Sequence, residues 1–300
     1  MLSLQVTLFL LIIVGALMKH LHIVNAEGQK CLNDLVIYLV LPCNIVKSFL
    51  ISSDGDILRQ FGLVLVLSIG VQIVSVILGK ILYRNQEPTE AMNLKYGLIC
   101  SNAGFLGNPV AEGLYGSVGL AMASVYLIPM RIMMWSSGIA VYTKSTNWKS
   151  ICRKVLTHPC IIACVLGILL MGTGYQLPEV IEKPLTYIGN CNTALSMMVI
   201  GMILYGNNLL KMVDGKVLCY CLMRLVIMPL LLLFVCQLLK MPSLVTGVCV
   251  TLTAMPAGAT TSILASKYQA NEFFATKLVL VSTILSMVTI PAWQMVLGML

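Results

Sequence analysis

The sequence predicts an all-α membrane protein of ten transmembrane helices, arranged as a 5+5 inverted repeat in which helices 4 and 9 are broken and cross. Three observations predict it: the chain is too poor in charge to cover a soluble surface, its apolar runs are long enough to span a bilayer, and its Lys and Arg residues alternate in density from one connection to the next. Of 300 residues, 59% are hydrophobic and only 10% are charged, where a soluble domain carries roughly 25% charged residues. Mean hydropathy is +0.94. A backbone in lipid must satisfy its polar groups internally, which restricts spanning structures to helices or closed barrels. The apolar runs here are continuous, not alternating, so they read as helices. A spanning helix takes about 20 residues, so ten of them leave only short connections and no room for a separate soluble domain.

In chain order the spans read 4–22, 32–51, 57–82, 93–115, 119–142, 157–173, 185–206, 217–239, 244–267 and 274–298. The first is a retained helix and not a cleaved leader, because no cation precedes Leu8–Leu17 and Lys19 follows it. Turn chemistry separates the rest: Asn25-Ala26-Glu27-Gly28, Ser52-Ser53-Asp54-Gly55, Arg84 to Pro88, Tyr115-Gly116-Ser117, Lys144 to Asn147, Gly172-Thr173-Gly174, Asp214-Gly215 and Met241-Pro242-Ser243. Connections after helices 1, 3, 5, 7 and 9 hold 13 Lys and Arg, and the remaining connections and both termini hold 4. That bias places the first set in the cytoplasm and both termini on the extracytoplasmic side of the plasma membrane. It also accounts for the net charge of +8 without a nucleic-acid partner. An odd number of spans per half inverts the second half, giving one repeat over 1–150 and another over 151–300.

Helices 4 and 9 occupy corresponding places in the two halves and carry glycine and proline at mid-span. Helix 4 reads Ser101-Asn102-Ala103-Gly104-Phe105-Leu106-Gly107-Asn108-Pro109, and helix 9 reads Thr251 to Thr261 around Met255-Pro256-Ala257-Gly258. Proline inside a helix removes a donor and clashes with the carbonyl four residues back, yet it suits the first position of a new helix. Pro109 and Pro256 are therefore each expected to start a half-helix at mid-depth. Two such starts, oppositely oriented, would bring uncapped N–H groups and positive dipole ends to one spot suited to an anion. The candidate substrate-binding residues are Asn102, Gly104, Gly107, Asn108, Pro109, Pro256 and Gly258.

These residues resemble the auxin efflux carrier family of membrane transporters, in particular its short bacterial members. The resemblance is carried by Ser101-Asn102-x-Gly104-Phe105-x-Gly107-x-Pro109, by Ala254 to Ala259, by Ala265-Ser266-Lys267-Tyr268, and by Ser282 to Ser286 with Ile290-Pro291. Leu41-Pro42, His158-Pro159 and Gly167 extend it. The resemblance implies a scaffold of helices 1, 2, 6 and 7, a transport domain of helices 3–5 and 8–10, and homodimers formed through the scaffold. It implies organic-anion substrates (auxin in plants, malate or malonate in some bacterial members) bound beside the helix 4/9 crossing at Asn102, Pro109 and Pro256. Asn108 and Glu112 depart from the plant pattern.

Charges within the spans are costly and mark pathways or ion pairs. Arg131, near mid-depth of helix 5, reads either as an anion attractor or as the partner of Glu112, which could instead sit near the outer surface. With Gln72 these two form a candidate ion, proton or support site. Arg224 and Lys47 read as snorkelling cations. The stripes Ser68, Gln72, Ser75 and Ser282, Ser286, Thr289 read first as helix-packing contacts. No metal or cofactor is expected: the sequence has no C-x-x-C, and His20, His22 and His158 lack a second ligand at helical spacing. Nor is an enzyme expected, since no H-E-x-x-H, G-x-S-x-G or paired acids occur in the spans. The function expected is secondary active transport of a small organic anion by alternating access, coupled to H+ or Na+. The alternatives are a channel or ligand sensor on the same fold, or a sodium-coupled organic-anion symporter.

Overall fold

The computed structural model describes residues 2–51, 55–143, 148–205 and 212–299. The turns expected at 52–54 and 144–147, and Lys211, lie outside the described residues. Among those described, regular structure is helical throughout, apart from one isolated antiparallel bridge between Ser101 and Ala257.

Helix α1 (Leu2–His20) lies against α11 (Asn192–Leu204). Two glycines permit that approach: a Cβ on Gly15 would stand 2.0 Å from the Met198 carbonyl oxygen, and one on Gly201 would stand 1.9 Å from that of Ile12. Helix α2 (Ala26–Leu35) begins at Asn25, whose side chain accepts the Gly28 N–H as N-cap residues do. It runs through a π turn (Val36–Val40) into α3 (Leu41–Ser48). Helix α4 (Gly55–Leu82) follows, then α5 (Pro88–Ile99), a break, a π turn (Ala103–Gly107) and α6 (Asn108–Met133). Within α6, Gly116 takes φ 66° and ψ −159°, a conformation open to glycine, and the helix kinks there, at the Tyr115-Gly116-Ser117 signal. A π turn (Met134–Gly138) leads to α7 (Ile139–Thr143), then α8 (Trp148–Leu156), α9 (Pro159–Thr173) and α10 (Glu179–Asn190) ahead of α11. The final part comprises α12 (Gly215–Leu222), a π turn (Met223–Ile227), α13 (Met228–Leu238), α14 (Ser243–Thr253), α15 (Thr260–Lys267) and α16 (Glu272–Gly298). Helix α8 occupies what reads from sequence as connecting chain.

The π turns have a local cause. Three of them end immediately before an X-Pro pair, at Leu41-Pro42, Asn108-Pro109 and Met228-Pro229. In each, the residue before proline donates five residues back: Leu41 to Val36, Asn108 to Ala103 and Met228 to Met223. The wider turn carries the upstream carbonyls away from the pyrrolidine ring and leaves the helix continuous, with a bend in place of a stop.

Among the described residues, six stretches are long and apolar enough to cross a membrane: Ala26–Ser48, Gly55–Leu82, Ala103–Tyr142, Glu179–Leu204, Gly215–Leu238 and Glu272–Gly298. Val6–His20, Pro159–Thr173 and Ser243–Thr253 are apolar but shorter. Large apolar side chains face outward along these helices, including Val66, Ile73, Leu169, Phe234 and Val288. Asn44, Ser68, Asn93, Asn108, Asn192 and Ser282 are buried between the helices. A polar interior inside an apolar exterior is the distribution a bilayer demands.

Candidate functional site

The two breaks lie side by side. Helix α5 stops at Ile99, and Cys100 is extended (φ −110°, ψ 104°). The Asn102 N–H donates to the Pro256 carbonyl at 2.8 Å, and the Gly258 N–H donates to the Cys100 carbonyl at 3.0 Å. This short antiparallel pairing satisfies backbone groups that unwinding would otherwise leave bare. It also explains Gly258, where a Cβ would stand only 3.3 Å from the carbonyl oxygens of Cys100 and Ser101. From α16, the Ser282 hydroxyl accepts the Ala257 N–H at 3.1 Å. The Ser282 stripe thus supports the break as well as helix packing.

Pro256 does not start a half-helix. It lies within the break, supplying a carbonyl, and the second half-helix begins three residues past Ala257, at Thr260. The pairing with residues 100–102 holds Pro256–Gly258 extended and so delays the restart. Pro109 does stand in the first turn of α6, but its half-helix already begins at the π turn from Ala103.

Each new start is uncapped. Neither Asn102 nor Ala259 caps with its side chain. Among the described residues, the N–H groups of Ala103, Gly104, Phe105, Ala259 and Thr260 have no backbone acceptor. Such groups carry the positive end of the helix dipole. They border a cavity of about 150 Å³ lined by Asn102, Gly104, Arg131, His158, Gly258 and Thr260 among others. A closed apolar cavity of about that volume holds a benzene-sized ligand. Arg131 is 5% exposed, and its Nη1 has no partner. It forms no ion pair among the described residues. A buried, unpaired cation beside two uncapped helix starts is an electrostatic environment suited to negative charge.

A larger cavity of about 580 Å³ opens between the ends of α3 and α9, lined by Phe49, Gly174, Gln176 and Glu182. The charge it presents is a carboxylate, so it does not suit an anion.

The other expected site residues lie outside the small cavity. Gly107 packs on α14, where a Cβ would stand 2.8 Å from Leu252 Cδ2. Asn108 is fully buried with neither amide atom partnered, and the buried Gln72 has an unpartnered Oε1. Glu112 is not the partner of Arg131: its carboxylate accepts from Asn44 Nδ2 at 2.9 Å and Lys47 Nζ at 3.0 Å. Lys47 also donates to Asn190 Oδ1 at 2.9 Å, so it is held by partners and does not snorkel. Arg224 does not snorkel either. It is 3% exposed, its Nε donating to the Met255 carbonyl at 3.0 Å and its Nη1 to the Leu98 carbonyl at 2.9 Å. In the interior, carbonyls beside the two breaks take the place of water around it.

His158 and Thr260 line the cavity without having been singled out as site residues. The sequence signal for His158 was the His-Pro pair: it caps α9, its Nδ1 accepting the Cys160 N–H at 3.3 Å. That bond leaves the ring's other nitrogen as the donor.

The family model described as "Membrane transport protein" matches residues 2–147 and 143–294. An uncharacterized transporter of Methanocaldococcus jannaschii is 25% identical over 297 residues, covering 96% of each chain. An uncharacterized transporter of Methanothermobacter thermautotrophicus is 27% identical over 298 residues, covering 97% of this chain and 96% of its own.

Proposed function

This chain belongs to the membrane transport protein family, the auxin efflux carriers, and from that premise we propose that it is a secondary carrier moving a small organic anion of the malate or malonate class by alternating access. The observation that carries the reading is the convergence on one cavity of an unpaired buried guanidinium, Arg131, with the uncapped starts at Ala103 and Thr260. Carboxylates are the natural occupants of such a place. Asn102 supplies a further polar contact. His158 adds a donor from α9, so the anion would be held between the crossing and the helices opposite it.

The same reading organises the membrane arrangement. Counting Ala103–Tyr142 as two spans meeting at Gly116, and adding the three shorter apolar helices, gives ten spans in two halves, 1–150 and 151–300. Helices 1, 2, 6 and 7 then form the scaffold, and helices 3–5 and 8–10 the moving domain. The scaffold pairs two copies into a homodimer in the plasma membrane, with both termini extracytoplasmic as the Lys and Arg bias requires.

Uptake of radiolabelled malonate into proteoliposomes tests the proposal. Wild-type flux should saturate, and both Asn102→Ala and Arg131→Gln should reduce it at least tenfold while leaving the protein inserted and folded. Full flux through either folded variant would remove the cavity from the pathway. Flux that never saturates would identify a channel, and malonate binding without flux a sensor.

A further inference from the structure

The crossing has two electrical faces, and a side chain of the protein itself fills one of them. Two helix starts border the cavity, while carbonyls at two helix ends, Leu98 of α5 and Met255 just past α14, meet Arg224 away from the cavity's lining. Carbonyl ends carry roughly half a negative charge each. In carriers built on broken helices, such ends and the unwound carbonyls beside them coordinate the driving cation. Here they are already occupied: Arg224 donates to Leu98 at the end of α5 and to Met255 just past the end of α14.

We infer that Arg224 is a resident cation of the crossing, a positioning residue that fills the carbonyl face and leaves this carrier without a sodium site there. Three features of the structure support this. Arg224 is buried, and no carboxylate pairs with it among the described residues. A lone buried guanidinium is strongly unfavourable, so the two helix ends, together worth about one negative charge, are its counter-charge. Next, Arg224 lies in the π turn Met223–Ile227, and the wide turn imposed by Pro229 belongs to the same segment that presents the side chain. Finally, one guanidinium bonds both broken helices, fixing their ends relative to each other. The position of their starts on the opposite face follows from that. Arg131 and Arg224 therefore divide the work: one lines the anion cavity, and the other replaces a metal behind it.

This inference rests on the crossing being a transport site, but its test does not need a substrate. Unfolding temperature of the purified protein would be measured in NaCl, LiCl, KCl and choline chloride at equal ionic strength. Wild type should unfold at the same temperature in all four. Arg224→Ala should unfold several degrees lower and recover part of the loss in millimolar guanidinium, far below denaturing concentrations, or in NaCl relative to choline chloride. Arg224→Lys, which retains a cation, should fall between the two and covers the case in which the alanine variant does not fold. Specific stabilisation of wild type by sodium would overturn the inference, as would an Arg224→Lys protein that behaves as wild type together with an alanine variant indifferent to guanidinium. Malonate uptake driven equally by sodium and choline gradients would agree with it. Absence of any uptake would remove the carrier reading and leave the thermal result standing.

Discussion

Arg131 and Arg224 look alike in sequence, each a single cation in an apolar run, and differ entirely in what surrounds them. Arg224 finds two carbonyls at hydrogen-bond distance; Arg131 keeps an unpartnered nitrogen beside a cavity. The unsatisfied group is the one available to a ligand, because a satisfied guanidinium gains little from a new partner. Asp214 is a third case, outside the spans. It caps α12 through the Val217 N–H at 2.9 Å and meets Lys277 of α16 at 3.2 Å. Partial burial raises its carboxyl, but the Val217 bond and the Lys277 ammonium outweigh that and hold it below the ordinary value. A carboxylate with a depressed folded-state pKa stabilises the fold fully above its unfolded value of about 3.9, and that stability is lost as pH falls through the folded value. The unfolding temperature of wild type should therefore fall more steeply below about pH 4 than that of Asp214→Asn, a comparison that calorimetry across pH 3–7 would make.

At the scale of elements, proline and glycine decide the irregularities, each by its own physics. Three X-Pro pairs widen the preceding turn and leave their helices continuous. The helices break where the backbone finds a second segment of the same chain to pair with, at Asn102 and Pro256. Proline alone was thus legible as a disturbance, but whether it bends or interrupts depends on a partner far away in the chain, as Asn102 is from Pro256. The contact between α1 and α11 makes the opposite point, since Gly15 and Gly201 stand in unremarkable helical runs and only their neighbours show that a side chain has no room. Gly201→Val should lower stability by about 3 kcal/mol, at the upper end of overpacking costs, because the obstruction at 1.9 Å is the Ile12 carbonyl and not a mobile side chain. Gly172→Ala, where a Cβ meets nothing within 4 Å, is the matched control. Equal unfolding temperatures for the two would show that the helices can separate at little cost.

For the whole molecule, Glu112 and Lys47 join α6 to α3 roughly 15 Å along the helix from Asn102. Lys47 continues the link to Asn190 at the end of α10. In the proposed division this connects the moving domain to the scaffold at the end away from the cavity's lining on α2. Alternating access requires that link to open in each cycle. Joining the two positions through a Lys47→Cys/Glu112→Cys pair with a short bifunctional thiol reagent should stop uptake, and reducing a cleavable version should restore it. The single variants treated alike should keep transporting. Undiminished uptake by the cross-linked pair would mean that α6 and α3 do not part.

Composition and pattern were enough to determine an all-helical membrane protein, interruptions within 93–115 and 244–267, and the likeness to a transporter family. These are local or additive properties: a bilayer selects apolar runs one at a time, and a proline disturbs its own turn wherever it stands. The tertiary structure alone decided which atom answers which. It set Pro256 inside the break, gave Glu112 to Lys47, brought His158 to the cavity, and turned Arg224 toward two carbonyls while Arg131 was left without an acid. Partner choice depends on distance through space, and in a medium without water a buried charge can be met only by groups brought within about 3 Å of it.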